Sequence, residues 1–125
     1  MNVEFRIEKV QGWVGVGICL KKEIIKANYK FNYTKTFHGS YLVSANGYSW
    51  SHSETSYNSS YKGFTYAAGD LVSVVYDPDE KNVRFENKSK NTKFVLNVLP
   101  APPDDTYVPC VNLCNPGDEV EVVNA

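Results

Sequence analysis

The stretch Gly69–Asn87, GDLVSVVYDPDEKNVRFEN, decides the fold. Asp70–Tyr76 is a near-continuous apolar run rich in Val, the composition of a strand covered on both faces. Asp77-Pro78-Asp79 then supplies a tight turn, because an Asp side chain bonds backbone two residues on and Pro presets φ at the second turn position. Beyond the turn, Val83 and Phe85 alternate with Asn82, Arg84 and Glu86, which predicts a strand with one buried and one wet face. The stretch therefore predicts a β-hairpin.

The same period of two extends in both directions. Val3, Phe5 and Ile7 alternate with Glu4, Arg6 and Glu8, giving a half-exposed strand over Val3–Glu8. In Trp13–Leu20 one face is Val14, Val16, Ile18 and Leu20; the other is Trp13, Gly15, Gly17 and Cys19. Two glycines inside a strand predict something packed close to the backbone, such as the Trp13 ring. Asn46-Gly47 is a hairpin signal between Ser40–Ala45 and Gly47–His52. Gly63–Ala67, Thr92–Leu99 (Phe94, Leu96 and Val98 on one face), Tyr107–Cys114 and the Val120/Val122 pair complete about ten strands. Lys21–Phe37, with a helical turn at Glu23–Ala27, the polar run Ser51–Tyr61, and the stiff segment Pro100–Thr106 read as loops. No amphipathic helix and no internal repeat appear. The fold class expected is all-β, an antiparallel two-sheet sandwich.

The 125 residues suffice for one domain with a core. Nine Tyr, six Phe and two Trp favour strands. A net charge of −1 with 22% charged residues gives no field for nucleic acid or an anionic membrane. The Lys-rich, aromatic stretch Lys21–Phe37 resembles a nucleic-acid platform in isolation, but the rest of the chain is not basic. Three Cys, an odd number, argue against a disulfide-stapled secreted fold. No apolar run approaches the roughly 20 residues of a membrane span, and no signal-peptide core is present. The expectation is a soluble, reduced, cytoplasmic module, in which the N-x-S/T triplets at Asn32, Asn58 and Asn87 are chance matches.

Candidate chemistry is sparse. Gly15-Val16-Gly17 is an incomplete phosphate-loop fingerprint with no helix pattern after it. His38 and His52 lie beside Ser and Thr, but no local motif supplies an orienting carboxylate, so both read as surface histidines and a hydrolase is the least favoured reading. Cys110 and Cys114 on one strand lie too far apart to share a metal. Asp77, Asp79 and Glu80 are explained by the turn without Ca²⁺. No metal and no cofactor are expected. Trp50 is a ligand anchor or a core cap, the latter being favoured.

Four pieces then match a pattern in order and spacing: GWVGVGIC, SYLVSANGYSW, GFTYAAGDLVSVVYD with RFEN after it, and YVPCVNLCNPGDEVEVV. Together they resemble the SPRY domain, the core of B30.2 domains. The resemblance implies a bent antiparallel sandwich and a protein-interaction module without catalysis, of the kind found in ubiquitin-ligase substrate receptors, adaptors and channel proteins. It implies binding of a peptide or protein surface through the three loops, with Tyr29, Tyr33, Tyr41 and Tyr57 as candidate anchors; Tyr41 matches a ligand-contacting tyrosine of the family. The family usually has further strands before the one resembling VEFRI. Their lack here predicts an uncovered sheet edge and self-association, the missing strands being absent or supplied by a partner or second copy. The alternative is a carbohydrate-binding, lectin-like sandwich in which Trp50 or exposed tyrosines stack on sugar rings.

Overall fold

The computed structural model describes residues 1–30 and 34–124. It is all-β, with two antiparallel sheets and one short helix. In chain order the elements are β1 (Asn2–Lys9), β2 (Val14–Leu20), α1 (Lys21–Lys26), β3 (Ser40–Ser44), β4 (Ser49–Ser51), a 3-10 turn (Thr55–Tyr57), β5 (Leu71–Asp77), β6 (Asn82–Asn87), β7 (Thr92–Asn97), β8 (Tyr107–Leu113) and β9 (Glu119–Asn124). One sheet runs β7-β6-β5-β1-β9 and the other β4-β3-β2-β8.

Alternation in the sequence becomes the core. Val3, Phe5 and Ile7 of β1 and Val14, Val16 and Ile18 of β2 are each fully buried, and they share one cluster with Val72, Val74, Val83, Phe85 and Leu96 from the larger sheet. The central hairpin forms as its residues dictate: the Asp77 carboxylate accepts the Asp79 and Glu80 amides, each at 3.1 Å, and β5 pairs with β6 from Val72–Asn87 to Asp77–Asn82. The apolar run of β5 is dry on the face carrying Val72 and Val74, while Leu71 and Val75 on the other face are only half-buried. Asn46-Gly47 closes the β3–β4 hairpin with Gly47 at φ +92°, and the Tyr61 ring packs where a side chain on Gly47 would stand.

Gly63–Ala67, expected as a strand, is not one. Among the described residues Thr65 makes a single bridge to Asn46. Side chains anchor the segment instead of a ladder. Phe64 and Tyr66 enter the core, and the Tyr66 hydroxyl sits between the Val14 and Val43 carbonyl oxygens at 2.5 and 2.7 Å. Asp70 accepts the Ala67 amide at 3.0 Å and the Asn87 side-chain amide at 3.1 Å, fixing the way into β5. Cys114 lies past the end of β8 and is exposed.

The first strand is not itself a sheet edge. β9 folds back alongside β1, from Phe5–Val122 to Ile7–Val120, so β1 lies between β5 and β9. The open edges of the larger sheet are β7 and β9, where Val95 and Val122 are about half exposed.

The glycines of β2 set how closely the smaller sheet assembles. A Cβ on Gly15 would meet the Trp13 ring at 3.2 Å, so the expected ring lies over that glycine. At Gly17 a Cβ would stand 1.9 Å from the Tyr41 carbonyl oxygen, which is backbone and cannot swing away. Gly17→Ala should therefore cost about 3 kcal/mol or more, or prevent folding. Gly69→Ala meets nothing within 4 Å and strains only a backbone at φ +93°, a loss of about 1 kcal/mol. Denaturant unfolding of the two variants should rank them in that order, and equal losses would refute the close approach of β2 to β3.

Candidate functional site

Three irregular segments meet at one end of the sandwich, and backbone bonds lock them together. The chain after β2 is tied to the Pro-rich loop by the Lys21 amide on the Thr106 carbonyl (2.9 Å) and the Lys22 amide on the Asp105 carboxylate (2.9 Å). It is tied to the polar run after β4 by the Phe37 amide on the His52 carbonyl (2.6 Å) and the Asn58 side-chain amide on the Lys35 carbonyl (3.2 Å). The loops that the sequence offered as a binding surface thus form one continuous end.

The two histidines brace that end. His38 Nδ1 accepts the Ser40 amide at 3.1 Å, so its Nε2–H is the donor to Asn58 Oδ1 at 2.8 Å. His52 Nδ1 accepts the Gly39 amide at 2.7 Å. Burial lowers the pKa of His38 to about 4 against the opposing effect of the Asn58 bond, with the neighbouring His52 adding to the depression. Burial lowers His52 too, partly offset by Glu23. Neutral imidazoles whose Nδ1 atoms hold loop amides are structural posts, a use that the sequence reading of these histidines did not foresee.

Tyr41 is not a surface anchor. Its position in β3, opposite Ile18 and Ser51, points the ring inward, and it is fully buried. Its hydroxyl bonds Ser53 Oγ at 2.8 Å and accepts the Leu99 amide at 3.1 Å. Tyr107 donates to the Leu99 carbonyl at 2.7 Å and packs edge-on against Tyr41, centroids 6.0 Å apart. Tyr57 is half-buried, its ring tilted on Phe94 of β7 with the Lys62 ammonium 4.6 Å above it. Tyr29 is 72% exposed, at the left-handed end of α1 with φ +59°. Tyr33 lies outside the described residues. The four tyrosines thus do not form one patch: of the three described, only Tyr29 stands clear of the body.

Beside Tyr29 lies a groove of about 330 Å³ between α1 and the outer face of the smaller sheet, within the size range of ligand pockets. Ile24, Ile25 and Tyr29 form one wall; Leu42, Cys19 and Cys110 lie on the sheet side. Next along that face, Trp50 stacks between Trp13 and Tyr48, with centroids 5.8 and 5.9 Å away. The groove escaped the sequence reading. Its signals were the adjacent Ile24-Ile25 in an otherwise polar segment and the small residues Gly17 and Cys19 on one strand face.

Tyr41→Phe should leave the fold intact but deprive the Ser53 hydroxyl and Leu99 amide of their partner, costing about 1–3 kcal/mol in denaturant unfolding; an unchanged midpoint would remove Tyr41 from this role. The histidines make stability pH-dependent. Above pH 6.5 folded and unfolded imidazoles are both neutral. Between 6.5 and about 4 the unfolded chain takes up a proton that folded His38 refuses, so stability falls with pH, by up to roughly 3 kcal/mol. His38→Gln should flatten that acid limb, and an unaltered slope would contradict the assignment. No family model and no curated protein matches the chain.

Proposed function

We propose that the chain is a SPRY-type protein-interaction module, without catalysis of its own, acting in the cytoplasm as the recognition part of an adaptor or ubiquitin-ligase assembly. It grips a peptide from a partner protein at the loop end. The observation that carries this is the braced loop end with exposed apolar side chains standing over a groove: Tyr29 is 72% exposed and Ile25 48%, and both line it. Large apolar groups kept in water at the rim of an apolar recess mark a binding surface, and a rigid frame lowers the ordering cost of gripping a ligand. Tyr29 and Ile25 are the anchors. The bound peptide places an aliphatic or aromatic side chain in the groove between them and Leu42.

A sugar-binding reading draws less support. Trp50 is only 5% exposed and stacked between two rings, so it offers no open face to a sugar.

The chain, immobilised and screened against a random displayed-peptide library, should select peptides sharing one apolar anchor. Tyr29→Ala should weaken them about tenfold without moving the melting temperature, since the ring is exposed. Failure to select any peptide, or selected peptides that bind the Tyr29→Ala, Ile25→Asp double variant as well as the parent, would overturn the reading.

A further inference from the structure

Two thiols lie diagonally across neighbouring strands in this groove. The β2–β8 register pairs Gly17 with Cys110 and Cys19 with Val108. Cys19 and Cys110 are therefore diagonal neighbours on the same outer face of the sheet, although far apart in the chain. Both line the groove. Cys19 is 3% exposed and Cys110 half-buried, and neither is in a disulfide. A third polar group completes the floor. Ser40 is the register partner of Cys19 on β3. Its hydroxyl lines the same groove, is 1% exposed, and has no hydrogen-bond partner among the described residues. A buried hydroxyl left unpartnered beside a thiol is an uncommon expense in a folded chain.

We propose that Cys19 and Cys110 are a reversible oxidation site: a peroxide converts the two thiols into a disulfide joining β2 to β8, and a thiol reductant reopens it. In the first step the Cys19 thiolate attacks one peroxide oxygen. The O–O bond breaks, an S–O bond forms, and the departing hydroxide takes up a proton as water. Cys110, deprotonated, then attacks the Cys19 sulfur; the S–O bond breaks and the second oxygen leaves as water. Two thiols have lost two electrons and two protons, and the peroxide has become two waters. Reduction runs through a mixed disulfide with the incoming thiol.

The local physics favours this division of labour. The Cys110 thiol hydrogen-bonds Cys19 and lowers the Cys19 pKa against burial and the Asp105 charge, while the same bond and burial raise that of Cys110. Cys19 is assigned as the nucleophile because Ser40, its register partner with an unpartnered hydroxyl, stands beside it to bond the oxygen it takes up. Ser40, as a positioning residue, donates to the oxygen carried on Cys19 after the first step. Diagonal Cα atoms stand about 7–8 Å apart, beyond the roughly 4.4–6.8 Å of ordinary disulfides, so the strands must close slightly. β8 is an edge strand, and Pro109 within it has no amide to hold a ladder bond. The resulting bond is strained, and strained disulfides are the readily reduced ones. This site stands on the thiol geometry and does not depend on peptide binding.

The test uses the full chain and its Cys114→Ser variant, which removes the exposed thiol. After hydrogen peroxide, both should lose two hydrogens in intact mass and resist iodoacetamide at Cys19 and Cys110. A linked peptide containing both residues should appear, and dithiothreitol should reverse all three changes. Cys110→Ser should stop at a Cys19 sulfenic acid trapped by dimedone. Ser40→Ala should slow disulfide formation about fivefold, the equivalent of one hydrogen bond, with the melting temperature unchanged. Alkylation of Cys19 and Cys110 after peroxide, a link between two copies of the Cys114→Ser chain, or oxygen addition at Cys110 in place of the link would overturn the proposal.

Discussion

Irregular chain that closes over a dry core must find partners for its amides and carbonyls, and the loop end of this sandwich is shaped by that requirement. A buried backbone polar group left unmet costs about as much as a lost hydrogen bond. Where two strands meet, the ladder meets the need. Where the described residues between β2 and β3, and those after β4 and after β7, run without ladders, side chains take over. Tyr41 receives the Leu99 amide and Tyr107 gives to its carbonyl. His38 and His52 receive the Ser40 and Gly39 amides, and Asp105 receives those of Lys22 and Thr106.

That solution has a chemical consequence. Imidazoles that accept from amides in a partly buried place stay neutral, because protonation would convert an acceptor into a donor facing another donor. Tyr41 and Tyr107, bonded to the loop residues Ser53 and Leu99, are buried and present no free ring to solvent. Of the exposed side chains, Ile25 stands on a six-residue helix whose first residues are bonded to the Pro-rich loop, and Tyr29 on the chain just after it, which is bonded further on to the polar run. A braced mount for a few apolar groups is what the proposed peptide binding requires, and it follows from how the loop backbone finds its hydrogen-bond partners.

How much of this was legible depends on range. Val3, Phe5 and Ile7, and the even-numbered face Val14 to Leu20, were readable because a strand's period is local. So were the turns at Asp77-Pro78-Asp79 and Asn46-Gly47, where one or two residues set the geometry. Gly63–Ala67 misled because Phe64 and Tyr66 alternate as a strand does, yet they serve as plugs for the core. Tyr41 misled because every residue of β3 is buried, on both faces, so alternation carries no sign of which side is wet. The loop cluster was nameable only as three segments; the bonds that join them run between residues far apart in the chain, as from Lys22 to Asp105, 83 positions on. The diagonal placement of Cys19 and Cys110 depends on the β2–β8 register, which no local pattern encodes.

The groove follows from the same close approach that β2 makes to β3. Gly17 cannot carry a side chain because the Tyr41 carbonyl occupies its place. Along this face Cys19 lies beside Gly17, Ser40 opposite Cys19 and Cys110 opposite Gly17 on β8, with Leu42 opposite it on β3 as the bulkier flank. A sheet face of small residues is a depression, and at one end Trp13 and Trp50 fill it. At the other end the chain turns at Leu20 into α1, which lays Ile24 and Ile25 along the depression without filling it. A tight strand pairing on one side of the backbone thus produces a recess on the other, and it gathers two thiols and a hydroxyl on the floor where a bulkier strand would have presented only hydrocarbon.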